Sequence, residues 1–157
     1  MERSLGSKWD AHIAPCVHEA GHAVIAHVLG ARVIGMIVNH DGSGESKIET
    51  AEPRAEVHIR LAGYIAELRY CESVGDCPSD RHPSLSRSDD NERAWVAAQE
   101  ACAGDLSAAS ALLNEARGTV TTTVTEEWAR IERIALALSG TGRLTSGPLS
   151  DIFNPDV

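Results

Sequence analysis

The chain has few aromatic residues, an excess of negative charge and no clustering of basic side chains. Its aromatic residues are three tryptophans, two tyrosines and one phenylalanine in 157 residues. The net charge of -9 arises from 14 Lys and Arg against 23 Asp and Glu. This charge repels phosphate backbones, and the sequence lacks the interleaved basic and aromatic residues that hold unpaired bases. We therefore expect no nucleic-acid partner.

The sequence also lacks a segment apolar enough to cross a bilayer. Its longest apolar stretch, Ala23 to Val38, is interrupted by His27 and Arg32, whereas a spanning helix needs about 20 predominantly apolar residues. The first ten residues carry charges but no apolar core of a secretory signal. We expect a cytoplasmic protein with no membrane partner and, at this length, a single domain over 1–157.

Four cysteines in a chain long enough to form its own core are typical of reduced thiols. A disulfide bond between Cys71 and Cys77 is the alternative that the spacing leaves open.

Helix signals dominate the chain, and one short hairpin interrupts them. Pro15 suits a first helical turn and Gly30 suits a helix end, which predicts a helix over about 16–29. A β-branched run, turn residues and a return strand predict a hairpin over 32–50. The other predicted elements are helices at about 52–70, 89–103, 106–117 and 123–138, and a loop over 72–87. The predicted core of the domain covers about 14–144, and a polar tail over 145–157 follows it. The predicted fold class is mostly α, with a small β-hairpin beside the first helix.

The first strand of this hairpin, Val33 to Val38, is flat and apolar. It is a candidate sheet edge, at which an extended substrate peptide aligns by backbone hydrogen bonds.

The most informative motif is His18-Glu19-Ala-Gly-His22, an H-E-x-x-H pattern inside the first predicted helix. Residues four apart project from one face of a helix, so both imidazoles can bind one metal ion with Glu19 beside them. Zinc held in this way lowers the pKa of a bound water and polarises a carbonyl, and Glu19 is the predicted general base. Independent positions would produce roughly 0.03 such motifs in a chain of this composition. The pattern therefore predicts a zinc hydrolase.

The third zinc ligand is not determined by this motif. One extended pattern requires Gly three residues and His six residues after the second histidine, and it is excluded because those positions are Ile25 and Val28. A carboxylate on a later helix is the other common arrangement, which leaves three candidates open: Glu67, Asp89 and Asp90.

Three blocks of sequence carry a resemblance to a known family. They are His-Glu-Ala-Gly-His-Ala at 18–23, Leu-Ala-Gly-Tyr-Ile-Ala-Glu at 61–67 and Asp-Asp-Asn-Glu-Arg-Ala at 89–94. In this order they resemble the peptidase domain of the FtsH family, peptidase family M41, over about 14–144. The resemblance implies a zinc peptidase in which Asp90 is the third ligand beside the two histidines. The chain departs from the family at Pro15, at Tyr64 and at Asn91, and an aliphatic residue is usual at the last of these positions.

The resemblance also implies a substrate class and partners. The sequence has no Gly-x-x-x-x-Gly-Lys-Ser/Thr phosphate loop, so we expect a peptidase module without an ATPase motor or membrane anchor, acting on peptides or unfolded protein. Ring assembly in the family leaves a homo-oligomer and a separate ATPase partner as open expectations. Two alternatives remain beside this one: a noncatalytic metal-binding interaction module of the same fold, and a regulatory peptidase that cuts one partner protein.

Overall fold

The structure is a computed structural model, and it describes residues 4–50, 52–75, 77–79 and 89–156. Within these ranges the chain forms six helices and three short strands. They are α1 (Ile13–Val28), β1 (Arg32–Val38), β2 (Gly44–Glu49), α2 (Pro53–Val74), α3 (Asp89–Ala101), α4 (Leu106–Glu126), α5 (Trp128–Thr141), β3 (Arg143–Thr145) and α6 (Ser146–Phe153). The hairpin packs against α1, so the mostly α class with a small sheet beside the H-E-x-x-H helix is confirmed.

Helices α1 and α2 pack at very short range in the centre of the fold. A Cβ added at Gly21 would lie 2.6 Å from the carbonyl oxygen of Ala62 and 2.7 Å from Cβ of Ala66. Ala20, Ala62 and Ala66 are fully buried at this crossing. Because small residues allow the two backbones to touch, side chains of α1 on either side of Gly21 reach directly onto the surface of α2.

The sheet differs from the sequence-based prediction in which strand is at the edge. The prediction that Val33 to Val38 offers a free edge is wrong, because β1 lies between β2 and β3. Strand β3 pairs antiparallel with Gly35–Ile37 of β1. Gly142, with φ of 73°, takes the left-handed conformation at the end of α5 and turns the chain back along β1. The edges of the described sheet are therefore β2, which is the second strand of the hairpin, and β3.

The boundaries of later helices also differ from the prediction, and α5 begins at Trp128 rather than at about 123. Helix α4 continues through 117–123, where a break was predicted, because Val120 and Val124 are buried in the core. The hydroxyl groups of threonines in this stretch donate to backbone carbonyls one turn earlier. The segment predicted as a polar tail, in which one short turn was expected at about 149–153, contains all of α6. Its Leu149 and Phe153 are buried in the core, and the Phe153 ring stacks on His27 with 4.1 Å between the ring centroids.

Cys71 and Cys77 form a disulfide, with Cα atoms 5.2 Å apart. The expectation of four reduced thiols is therefore wrong for this pair, and the alternative that the spacing left open applies. Gly75, with φ of 71°, ends α2 in a left-handed turn, which brings the chain back towards Cys71. Cys16 and Cys102 are free thiols. Of the loop predicted over 72–87, residues 72–74 belong to α2, and residues 76 and 80–87 lie outside the described residues.

None of the helices in the described ranges combines the length and the apolar character that crossing a membrane requires.

Candidate metal centre

His18 and His22 lie one turn apart on α1 and face Gly63 of α2. Their ring centroids are 4.8 Å apart. A Cβ added at Gly63 would lie 2.5 Å from Nε2 of each ring. A glycine at this position therefore keeps open the space in front of both nitrogen atoms. Glycine costs roughly 1 kcal/mol relative to alanine inside a helix, and the open space is the structural reason for accepting that cost.

Asp90, in the first turn of α3, reaches the same space. Its Oδ2 atom lies 3.1 Å from Nε2 of His18 and 3.1 Å from Nε2 of His22. Ligand atoms at about 2.0–2.1 Å from a tetrahedral zinc ion are about 3.3 Å from one another. The spacing of Oδ2 from the two nitrogen atoms therefore fits a zinc site.

The hydrogen bonding of His22 leaves Nε2 available as a metal ligand. Its Nδ1 donates to the carbonyl oxygen of Ile59 at 2.6 Å, so Nε2 of the neutral ring has no proton. The lone pair of Nε2 then faces the Asp90 carboxylate oxygen, an unfavourable contact that a proton or a metal ion relieves. Two imidazoles and a carboxylate are a donor set that zinc prefers, so the residues fit zinc.

Glu19 is buried beside the histidines, with 6% of its surface exposed. Possible ligand atoms of His18, Glu19 and His22 all lie within 4.8 Å of one another. The Oε2 atom of Glu19 accepts a hydrogen bond of 2.5 Å from the Ser46 hydroxyl on β2. The contact with Ser46 was not predicted from the sequence, because it depends on how the hairpin packs on α1.

The other two candidate ligands occupy different positions. Oε1 of Glu67 lies 3.8 Å from Nδ1 of His18, whereas Nε2 of that ring faces Asp90. Glu67 therefore lies near Nδ1, on the side of the His18 ring opposite the shared donor space. Asp89 is exposed at the start of α3. Of the three carboxylates, Asp90 is the one within 3.1 Å of both Nε2 atoms.

The close contacts shift the titration of two of these groups. Burial by itself lowers the pKa of His18, but the Asp90 contact and the neighbouring carboxylates of Glu19 and Glu67 outweigh burial and raise this pKa above its ordinary value. Burial raises the pKa of Asp90, but the two imidazoles outweigh burial and hold it well below the usual range. The centre therefore favours a negative carboxylate facing positive charge.

A second contact of Asp90 was also not predicted from the sequence. Nη1 of Arg60 donates to Oδ1 of Asp90 at 3.3 Å, and Nε of Arg60 donates to Oε1 of Glu56 at 2.6 Å. The spacing of Glu56 and Arg60 on one helix could have indicated their pairing. The contact with Asp90 joins two helices that are distant in sequence, and no local pattern predicts it.

The centre opens into a cleft of about 720 Å³. His18, Glu19, His22 and Asp90 line one part of it, and the edge strand β2 contributes residues 44–48. The arrangement combines a metal-binding group, a buried carboxylate and an accessible strand edge in one open groove.

Comparison with known proteins supports the class of the centre. The family described as Peptidase M50B-like, a zinc metallopeptidase family, matches residues 8–68, which is less than half of the chain. The matched part includes His18, Glu19 and His22 and ends before Asp90. The match and the His-Glu-His cluster support a zinc metallopeptidase with zinc as its cofactor, but they do not support family M41 in particular. No curated protein matches the chain.

Proposed function

We propose that the chain is a zinc-dependent endopeptidase in which His18, His22 and Asp90 hold the metal and Glu19 is the general base. The observation that carries the proposal is the approach of one Asp90 oxygen to both Nε2 atoms, in a space that Gly63 keeps open. Zinc, when bound, supplies a Lewis acid that activates water and polarises the carbonyl of the scissile bond.

Glu19 has the burial and the contacts that a general base needs. Ser46 donates to Oε2 and orients the carboxylate. A Cβ at Gly44 would lie 3.0 Å from Oε1, so the glycine leaves space at this oxygen. In our proposal Oε1 accepts the proton from water and then passes it to the leaving amine.

The edge strand β2 is the proposed binding site for the substrate backbone. Its residues 44–48 line the cleft, and its position in the sheet leaves one edge available for an extended peptide. The net charge of -9 favours neutral or basic peptide segments, and salt weakens this preference.

In its finer form the proposal is an M41-like peptidase in the cytoplasm. The location of Asp90 in the block at 89–94 and its distances to the histidines support the M41-like part of this proposal. Folded domains are stable by about 5–15 kcal/mol and rarely present an extended segment. We therefore propose that the chain by itself cuts short peptides and disordered tails, and that folded substrates require a separate ATPase.

The test measures zinc content and cleavage on the purified protein without ATP. We expect about one zinc per chain, cleavage of a peptide library, and trimming confined to the tail of a stable reporter that carries a disordered extension. Glu19→Gln is the matched control and should keep zinc while hydrolysis falls by at least ~100-fold. Protein that is metal-free after growth with zinc would contradict the proposal. Zinc-loaded protein that cuts no peptide would favour the noncatalytic module instead.

A further inference from the structure

We propose that Arg60 is a positioning residue of the metal centre, which orients the Asp90 carboxylate towards the two imidazoles. This inference rests on the proposed function, because it takes Asp90 as the third ligand. Asp90 and Arg60 lie on different helices, and their contact joins the N-terminal half of α2 to the first turn of α3.

The two carboxylate oxygens of Asp90 have separate partners. Oδ1 accepts from Nη1 of Arg60 at 3.3 Å, while Oδ2 lies 3.1 Å from each of the two Nε2 atoms. The Asp90 side chain is 17% exposed, so water can reach it. Without Arg60, the Asp90 carboxylate would rotate and bind water, and Oδ2 would no longer be held towards the two Nε2 atoms. A fixed partner on Oδ1 therefore keeps Oδ2 directed at the histidines.

Arg60 is itself held in place by Glu56. Its Nε donates to Oε1 of Glu56 at 2.6 Å, one turn earlier on the same helix. The guanidinium group is planar, so a bond at Nε also sets the direction of Nη1. The side chain of Arg60 is 22% exposed, which limits its other conformations. Glu56, Arg60 and Asp90 thus form a chain of contacts that ends at the metal ligands.

Positioning and charge have opposite effects on zinc binding at this place. A guanidinium repels a divalent cation, so removing Arg60 would tighten zinc binding if charge alone mattered. Removing it would weaken binding if orientation of Asp90 matters more. Glu56 offsets the positive charge of Arg60, and we therefore expect the positioning effect to be larger.

The test compares two variants that remove the same charge from the same cleft. Arg60→Met keeps most of the apolar length but removes the guanidinium group. Arg93→Met is the matched control, since Arg93 also lines the cleft but makes no ion pair within the described part of the chain. We expect Arg60→Met to weaken zinc binding by ~10- to 100-fold in a chelator competition assay. We expect Arg93→Met to leave zinc affinity unchanged or slightly increased.

Two further measurements assign the effect to Asp90. In the background of Asp90→Asn, the substitution Arg60→Met should cost no further zinc affinity, because the oriented group is already lost. Should Arg60→Met fail to fold, Arg60→Lys carries the same test, since lysine keeps the charge but not the forked donor geometry.

Wild-type affinity in Arg60→Met, tighter binding, or an equal loss with and without Asp90 would overturn the inference. These outcomes leave the proposed function intact. Failure of the wild-type protein to bind zinc would overturn the proposed function as well, so the two failures are distinguishable.

Discussion

The substitution Gly63→Ala tests the metal centre most directly, because it adds one methyl group in front of both histidines. The new Cβ would lie 2.5 Å from Nε2 of His18 and 2.5 Å from Nε2 of His22. Optimal nonbonded separations are about 3.5–4.0 Å, so each ring must move by about 1 Å. Zinc–nitrogen bonds tolerate only about 0.2 Å of variation. Both imidazoles therefore cannot remain ligands of the same ion.

The expected effect on folding is small in comparison. The atoms that meet the new methyl group belong to two imidazole rings, and His22 is buried with Nδ1 bonded to the carbonyl of Ile59, so moving that ring weakens one hydrogen bond worth about 0.5–1.5 kcal/mol. Alanine is favoured over glycine inside a helix by about 1 kcal/mol, which offsets part of this rearrangement. We expect the metal-free variant to unfold within about 1 kcal/mol of wild type, whereas zinc affinity falls by at least ~100-fold.

The assay measures zinc affinity by competition with a chromophoric chelator and stability by denaturant unfolding with and without a chelator. Gly118→Ala is the matched control, because a Cβ at Gly118 of α4 meets nothing within 4 Å. This control should gain up to about 1 kcal/mol of stability and keep its zinc affinity. Wild-type zinc affinity in Gly63→Ala would refute the view that the metal lies between the histidines and α2.

Three further outcomes follow from the structure. Asp90→Asn should weaken zinc binding far more than Asp89→Asn, because Asp89 interacts with the dipole at the start of α3, which contributes only ~0.3–1 kcal/mol of helix stability. Zinc titrations that show equal losses for the two variants would contradict this expectation. In metal-free protein, protonated His18 stabilises the fold at pH values below 6.5, its ordinary pKa, and this stabilisation is lost as the pH rises through the raised pKa. Ionised Asp90, whose pKa is lowered, stabilises the fold at pH values above about 3.8. The difference in unfolding midpoint between wild type and Asp90→Asn should therefore shrink as the pH rises above 6.5, and a difference that stays constant at all higher pH would count against the contact. Alkylation of denatured, unreduced protein should label Cys16 and Cys102 but not the disulfide pair, and labelling of all four cysteines would show that no disulfide forms.

Several elements could be predicted from the sequence because their causes are local. The first helix, the hairpin over 32–50 and the start of α3 follow from helix-end residues, β-branched runs and turn residues. Predictions failed where distant contacts decide. Strand β3 has three residues and forms because β1 is available to pair with it. The continuous α4 depends on burial of Val120 and Val124 against other helices, which outweighs the low helix propensity of its glycine and threonines.

The candidate site divides in the same way. The spacing of His18, Glu19 and His22 by itself determines that two imidazoles and a carboxylate share one region of a helix, because side-chain direction repeats every 3.6 residues or so. Local spacing left Glu67, Asp89 and Asp90 open, since the orientation of a later helix is not encoded in it, and Asp90 was predicted through the resemblance of the block at 89–94. Packing of α2 and α3 against α1 brings Oδ2 of Asp90 to 3.1 Å from both rings.

The tertiary structure also decided what surrounds these groups. Gly63 leaves space before the rings, Arg60 contacts Asp90, and Ser46 contacts Glu19 only because α2 and the hairpin pack closely on α1. That packing depends on backbone contact at Gly21, where even one added carbon would meet the next helix at 2.6 Å. Local pattern determines which groups one helix presents, whereas contacts between elements far apart in the chain determine which atoms those groups meet.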